Sequence, residues 1–147
     1  MPGDPRRIVV ERLPEAPDVP IPARATAGSA CFDLAAAEAA DLERGRVTLV
    51  RTGLKMRCPP GTFVEVRPRS GLATRGVLMV NAPGTIDHDY SGEVRVPLTY
   101  LGEGRYRVEV GDRIAQVRLV EDLDSAFEIG EVAPVASRAG GFGSTGR

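Results

Sequence analysis

The chain has 147 residues, the usual range for one domain, and 42% hydrophobic content is enough for an ordinary packed core. Its formal charge of −1 excludes a global field that would draw it onto nucleic acid or an anionic membrane, so any anion it binds must meet a local cluster. Seventeen glycines and twelve prolines interrupt the chain at short intervals, and the runs between them alternate or are β-branched, which favours strands over helices. In chain order, strands are predicted at residues 7–12, 31–36, 46–51, 62–67, 77–80, 92–101, 105–110 and 113–120. The Pro- and Ala-rich segment 15–27 reads as an extended surface connection. Residues 35–44 have the only helix-friendly composition, and a short turn before Gly45 could equally break it. The fold expected is all-β, a jelly-roll-like barrel or sandwich with at most one short helix, over residues 1–136. Residues 137–147 are almost entirely small and are expected to form a flexible glycine-rich tail.

Cys31 and Cys58 lie in unlike contexts without metal-ligand spacing, and both are read as reduced thiols. Residues 1–12 lack the apolar run of a secretory signal, and no apolar stretch of about eighteen residues exists to span a bilayer. A cytoplasmic protein is the expectation, with neither membrane nor nucleic acid as partner.

Four segments carry chemistry. Gly141-Phe142-Gly143-Ser144-Thr145-Gly146 matches the dinucleotide fingerprint in letters only, because no strand precedes it and no helix follows it to receive a pyrophosphate. It reads instead as a flap whose backbone N–H groups and hydroxyls, with Arg138, close around an anion. Pro68-Arg69-Ser70-Gly71 follows a predicted strand and offers a guanidinium, a hydroxyl and a glycine N–H together; an ordinary capped turn is the plainer reading. Gly84-Thr85-Ile86-Asp87-His88-Asp89-Tyr90-Ser91-Gly92 sets two carboxylates and an aromatic in a glycine-bracketed loop. Turns favour Asp in any case, yet an Asp beside a phosphate site is the residue type that takes a proton from attacking water. His88, the only histidine, reads as solvated. In Gly111-Asp112-Arg113-Ile114-Ala115-Gln116, strand alternation puts Gln116 on the face of Ile114, as a bonded core amide or a ligand contact.

Taken in order, with Ala27-Gly28-Ser29-Ala30-Cys31-Phe32-Asp33-Leu34 as the first, these segments resemble the five signature motifs of the trimeric dUTPase family, whose fold is a β-clip. The resemblance implies hydrolysis of dUTP to dUMP and pyrophosphate, which keeps uracil out of DNA and supplies dUMP for dTMP synthesis. It implies that Asp87 deprotonates the water that attacks the α-phosphorus, with Asp89 secondary. Tyr90 resembles the ring stacked on the sugar, where a ribose 2′-hydroxyl would collide. Asn81 resembles an amide that helps read uracil; Thr85, Ile86 and Val94 belong to the same base-side motif and hairpin, whose main chain pairs with the pyrimidine edge. Ser70, Gly71 and Gln116 are similar to residues that hold the phosphates, with Arg69 close by. Asp33 resembles the acid that anchors Mg2+ through its waters. Phe142 and Gly143 resemble a lid over the base, while Arg138, Ser144 and Thr145 reach the outer phosphates. Arg138 stands four residues before Phe142, one fewer than the family pattern. The family also implies a homotrimer with shared active sites.

Two alternatives are weighed. A dCTP deaminase, a relative of the same fold, carries a catalytic glutamate five residues after the third motif's closing glycine, where this chain has Pro97. A nucleotide-binding module without turnover would be expected to have lost the acid at Asp87.

Overall fold

Short strands joined by glycine turns are what so punctuated a sequence produces. The computed structural model describes residues 6–133. Within them run β1 (Val9–Arg12), β2 (Phe32–Ala35), β3 (Ala40–Glu43), β4 (Thr48–Arg51), β5 (Leu54–Arg57) and β6 (Thr62–Arg67). They are followed by α1 (Ser70–Ala73), β7 (Val77–Met79), β8 (Gly84–Ile86), β9 (Arg95–Tyr100), β10 (Arg105–Val108) and β11 (Arg113–Glu121). The architecture is all-β with one helical turn, as expected. Segment 15–27 is an extended connection touched only by a bridge between Ala23 and Asp33.

Every strand pair is antiparallel. A four-stranded sheet of order β2-β11-β6-β8 and a three-stranded sheet of order β4-β9-β7 are accompanied by the pairs β1-β5 and β10-β3. No sheet closes into a barrel among the described residues, so the jelly-roll arrangement is the one adopted. Leu34, Val64, Ile114 and Val117 from the larger sheet join Val50, Val96 and Leu98 from the smaller one, with Leu42, Leu54 and Val108, in one buried cluster. Full burial of such a side chain contributes about 1.5–3 kcal/mol, and this cluster fixes the two sheets against each other.

Three expectations need correction. Residues 35–44 are not helical: β3 pairs with β10, burying Leu42 completely and setting Arg105 near Glu43 and Arg107 near Asp41 across the ladder. Intrinsic helix preference is a weak force against such pairing. Strands β5 and β8 were not expected, and both exist only through partners distant in sequence, β1 and β6. Gln116 does not share the face of Ile114. A register shift between Arg113 and Ala115 lets Ile114 and Ala115 both enter the core, after which Val117 points inward and Gln116 outward.

Cys31 is half-buried, Cys58 is buried, and both are free thiols. No helix among the described residues is long and apolar enough to cross a membrane.

Candidate active site

The larger sheet positions both groups of predicted site residues. At the centre, Gln116 on β11 stands opposite Asp33 on β2 and opposite Arg67 on β6, so three adjacent strands present polar side chains at one level. The chain leaves β6 through Pro68 and Arg69 and makes the single turn α1. Arg69 is its N-cap in extended conformation without a side-chain cap, so the capped-turn reading does not hold. The first N–H groups of a helical turn lack intrahelical partners, which leaves those of Ser70 and Gly71 directed away from the turn.

These residues form a cleft of about 180 Å³ lined by Ser29, Cys31, Asp33, Arg69, Ser70, Gly71 and Gln116 with Ala25. Its acid is engaged on both oxygens. Arg69 Nε donates to Asp33 Oδ1 at 3.1 Å and Arg113 Nη1 donates to Oδ2 at 3.0 Å. Arg69 also donates through Nη1 to the Arg113 carbonyl at 3.0 Å, and Gln116 Nε2 donates to the Pro68 carbonyl at 2.9 Å. The result is a fixed set of donors with a paired carboxylate, suited to an anion.

The edge strand β8 carries the second group. Gly84, Thr85 and Ile86 pair with Val66, Glu65 and Val64, and the chain then crosses through residues 87–94 to β9 in the other sheet. A cleft of about 150 Å³ gathers Asn81, Gly84, Thr85, Ile86, Asp87, Tyr90, Glu93, Val94 and Arg95, with Val66, Met79 and Pro97 behind them. Ile86 and Val94 are buried and form its apolar wall, whereas Asn81, Thr85 and Asp87 are exposed. Gly84 is buried beneath Asn81, whose Nδ2 would lie 3.2 Å from a Cβ at Gly84, so the amide rests directly on that backbone.

Asp87 follows β8 directly, and its carboxylate has no ion-pair or hydrogen-bond partner among the described residues. Only its carbonyl is used, accepting the Tyr90 N–H at 3.1 Å. His88 and Asp89 are exposed on the turn, with His88 solvated as read from the sequence. The Tyr90 ring folds back over Gly92, where any Cβ would overlap it, with Cζ only 2.7 Å away. Its hydroxyl donates to the Glu93 carbonyl at 3.0 Å, and 44% of the residue stays exposed at the cleft mouth.

Glu93 was not singled out from the sequence. Its side chain is only 8% exposed, yet charged: Arg51 Nε lies 3.0 Å from Oε2, Arg95 Nε 3.1 Å from Oε2, and the Gly53 N–H donates to Oε1 at 2.9 Å. Burial opposes the charged form, but the donors from Arg51, Gly53 and Arg95 outweigh it and hold the carboxyl below its ordinary value of 4.5. Gly53 has φ of +66, and a Cβ there would meet Ala16 Cβ at 2.5 Å, so only glycine gives this close approach.

No residue lines both clefts, so among the described residues Asn81, Thr85, Ile86, Asp87, Tyr90 and Val94 are brought together in one and Asp33, Arg69, Ser70, Gly71 and Gln116 in the other. A larger groove of about 660 Å³, with Ile8, Val10, Phe32 and Leu119 in its lining, contains none of the predicted site residues. Arg138, Phe142, Gly143, Ser144 and Thr145 lie outside the described residues. Among the described residues no three His, Cys, Asp or Glu side chains group to hold a metal ion. Asp33 fits magnesium only as an outer acceptor: two of its lone pairs serve arginines and the others are free for metal-bound waters, in keeping with a cation that gives up hydration reluctantly.

Comparison with known proteins gives the same picture from outside. A deoxyuridine 5'-triphosphate nucleotidohydrolase of Brucella melitensis is 48% identical over 141 residues, 92% of this chain and 90% of that protein. The dUTPase from Streptococcus mutans superposes with a TM-score of 0.76 at 26% identity, covering 80% of this chain and 98% of that one. The Staphylococcus bacteriophage 80alpha dUTPase with dUPNHPP superposes with a TM-score of 0.79 at 23% identity, covering 95% and 98%. The family model for dUTPase matches residues 17–146, and the chain belongs to the dUTPase family.

Proposed function

We propose that this protein hydrolyses dUTP to dUMP and pyrophosphate. The observation that carries the reading is Asp87, an accessible carboxylate without a partner among the described residues, at the mouth of a cleft whose walls are Ile86, Val94, Asn81 and Tyr90. An unpaired acid accepts a proton, whereas the doubly paired Asp33 is suited to holding charge in place.

The uracil enters between Ile86 and Val94, Asn81 and the hairpin main chain read its edge, and Thr85 lines its approach. Tyr90 packs on the sugar face where a 2′-hydroxyl would lie. Failed pairing of a wrong base in this pocket costs about 1–3 kcal/mol per group. Arg69, Ser70, Gly71 and Gln116 hold the phosphates in a fixed line. Asp87 orients a water behind the α-phosphorus and takes its proton as the water oxygen bonds to phosphorus. The bond from phosphorus to the bridging oxygen breaks, and pyrophosphate leaves. Magnesium, held by the phosphates and by Asp33 through water, would supply positive charge against the phosphate oxygens. Arg138, Phe142, Gly143, Ser144 and Thr145 act as the lid that excludes bulk water. In the cell this activity keeps uracil out of DNA and supplies dUMP for dTMP synthesis, a role we assign to the cytoplasm.

The two unshared clefts support a homotrimer in which the base side of one chain meets the phosphate side of another. Exposed Val47, Leu49, Val80 and Leu101 supply apolar surface for such association. Pro97 in the wall of the base-side cleft weighs against a deaminase, because it carries no acid or base at that position. A substrate panel read by product identity tests the reading. Pyrophosphate and dUMP from dUTP, with much weaker action on UTP, dCTP and dTTP, is the expected result; ammonia from dCTP contradicts it.

A further inference from the structure

We propose that Glu93 is the positioning residue that sets the Tyr90 ring against the sugar and so governs selection of 2′-deoxynucleotides, an inference that rests on the base-side reading above. The connection is covalent and short. The Glu93 carbonyl accepts the Tyr90 hydroxyl at 3.0 Å, so the position of the ring is the position of that one peptide group. The ring has no other polar tether among the described residues, and Gly92 leaves open the space into which it folds.

The Glu93 side chain, in turn, fixes the peptide to the scaffold from the opposite side. Its carboxylate takes the Gly53 N–H and the Arg51 Nε from the end of β4 and the turn to β5, forty or more residues away. The same peptide group is held from its other end, where the Val94 N–H donates to the Leu54 carbonyl at 2.8 Å, and the next carbonyl, that of Val94, accepts Thr52 Oγ1 at 2.6 Å. Arg51 also reaches Glu15 at 2.9 Å with its other fork, and Arg95, which lines the same cleft, is bound to Glu93 Oε2. The connection 87–94 is thus anchored at its β9 end, while among the described residues the 87–90 turn carries only local bonds. Replacing the carboxylate by an amide puts an NH2 group against a guanidinium, so one of these anchors is lost while the volume of the side chain is kept.

The test measures discrimination twice in wild type, Glu93→Gln and Tyr90→Phe: as the ratio of kcat/KM for dUTP over UTP, and as the ratio of Kd for the imido analogue of UTP over that of dUTP by calorimetry. Glu93→Gln is expected to lower both ratios about tenfold, mainly through a higher KM for dUTP, with kcat within about twofold of wild type. Tyr90→Phe, which removes only the tether to the Glu93 carbonyl, is expected to lower them in the same direction and stands in should Glu93→Gln fail to fold. Arg107→Gln, which breaks an ion pair on the β3-β10 ladder, is expected to leave both ratios unchanged. Equal losses on both nucleotides, or ratios within twofold of wild type in both hairpin variants, overturn the inference. A wild type that discriminates in binding but does not hydrolyse dUTP, with variants that lose the discrimination, sinks the hydrolase reading and sustains this one.

Discussion

The two clefts each contain an aspartate, and the two are held in opposite ways. Asp33 has a guanidinium on each oxygen and sits on β2, paired with β11 on one side and bridged to Ala23 on the other. Asp87 directly follows an edge strand of only three residues, exposed, its carboxylate without a partner among the described residues. Residue type is the same, and surroundings decide the role. A carboxylate bonded to two guanidinium groups is fixed in place and suits an anchor; one exposed at a cleft mouth is reachable by a bound water. Under the proposed function the contrast puts the chemistry after β8 and the charge placement on β2.

Breaking the contrast at Asp87 has the largest expected effect. Asp87→Asn keeps the shape and removes the base, and turnover of dUTP is expected to fall by about 10²–10⁴-fold, with binding of the imido analogue largely kept. Steady-state kinetics with calorimetry separates the two, and a normal rate would rule out the assignment. The same change on the other side, Asp33→Asn, leaves Arg69 and Arg113 without their counter-charge. Here the expected loss is about tenfold to a hundredfold, appearing as weaker triphosphate binding and a steeper need for magnesium. Titration of the metal against activity checks it.

Gly92→Ala sharpens the comparison from the base side. The new methyl collides with the Tyr90 ring, which must leave its place over the hairpin, and a rise in KM for dUTP of about tenfold is expected with the fold retained by circular dichroism. Smallest is the effect of acid. Glu93 has a folded pKa held below 4.5 by its donors, so its contribution to stability is complete above that value and is lost as pH falls through the lower folded value. The difference in melting temperature between wild type and Glu93→Gln should therefore be widest near neutrality and shrink below pH 4.5; a gap that widens in acid contradicts the assignment.

Most of the site was legible because its chemistry lies within short segments. Asp87, Tyr90, Ser70 and Gln116 are each readable beside a glycine turn or a strand, and the order of those segments carries the family resemblance. Strands β2, β4, β6, β7, β9, β10 and β11 were also legible as alternating or β-branched runs, with boundaries shifted by a few residues. What escaped was non-local. Strand β3 reads as alanine-rich helix until Leu42 finds the core and Arg105 and Arg107 find its acids. Strand β8 begins with a glycine and reads as turn until β6 lies beside it. Glu93 reads as an ordinary surface acid because Arg51 and Gly53 lie forty residues earlier, where no spacing rule points. Gln116 was assigned to the wrong face because a bulge at Ile114 leaves no mark in the residue types.

The direct test of the account is hydrolysis of dUTP in heavy-oxygen water, with the label located in the products by mass spectrometry. Attack on the α-phosphorus by a water that Asp87 deprotonates predicts label in dUMP, none in pyrophosphate, and loss of the reaction in Asp87→Asn. Label in the pyrophosphate, or an Asp87→Asn protein that labels dUMP at the wild-type rate, would contradict it.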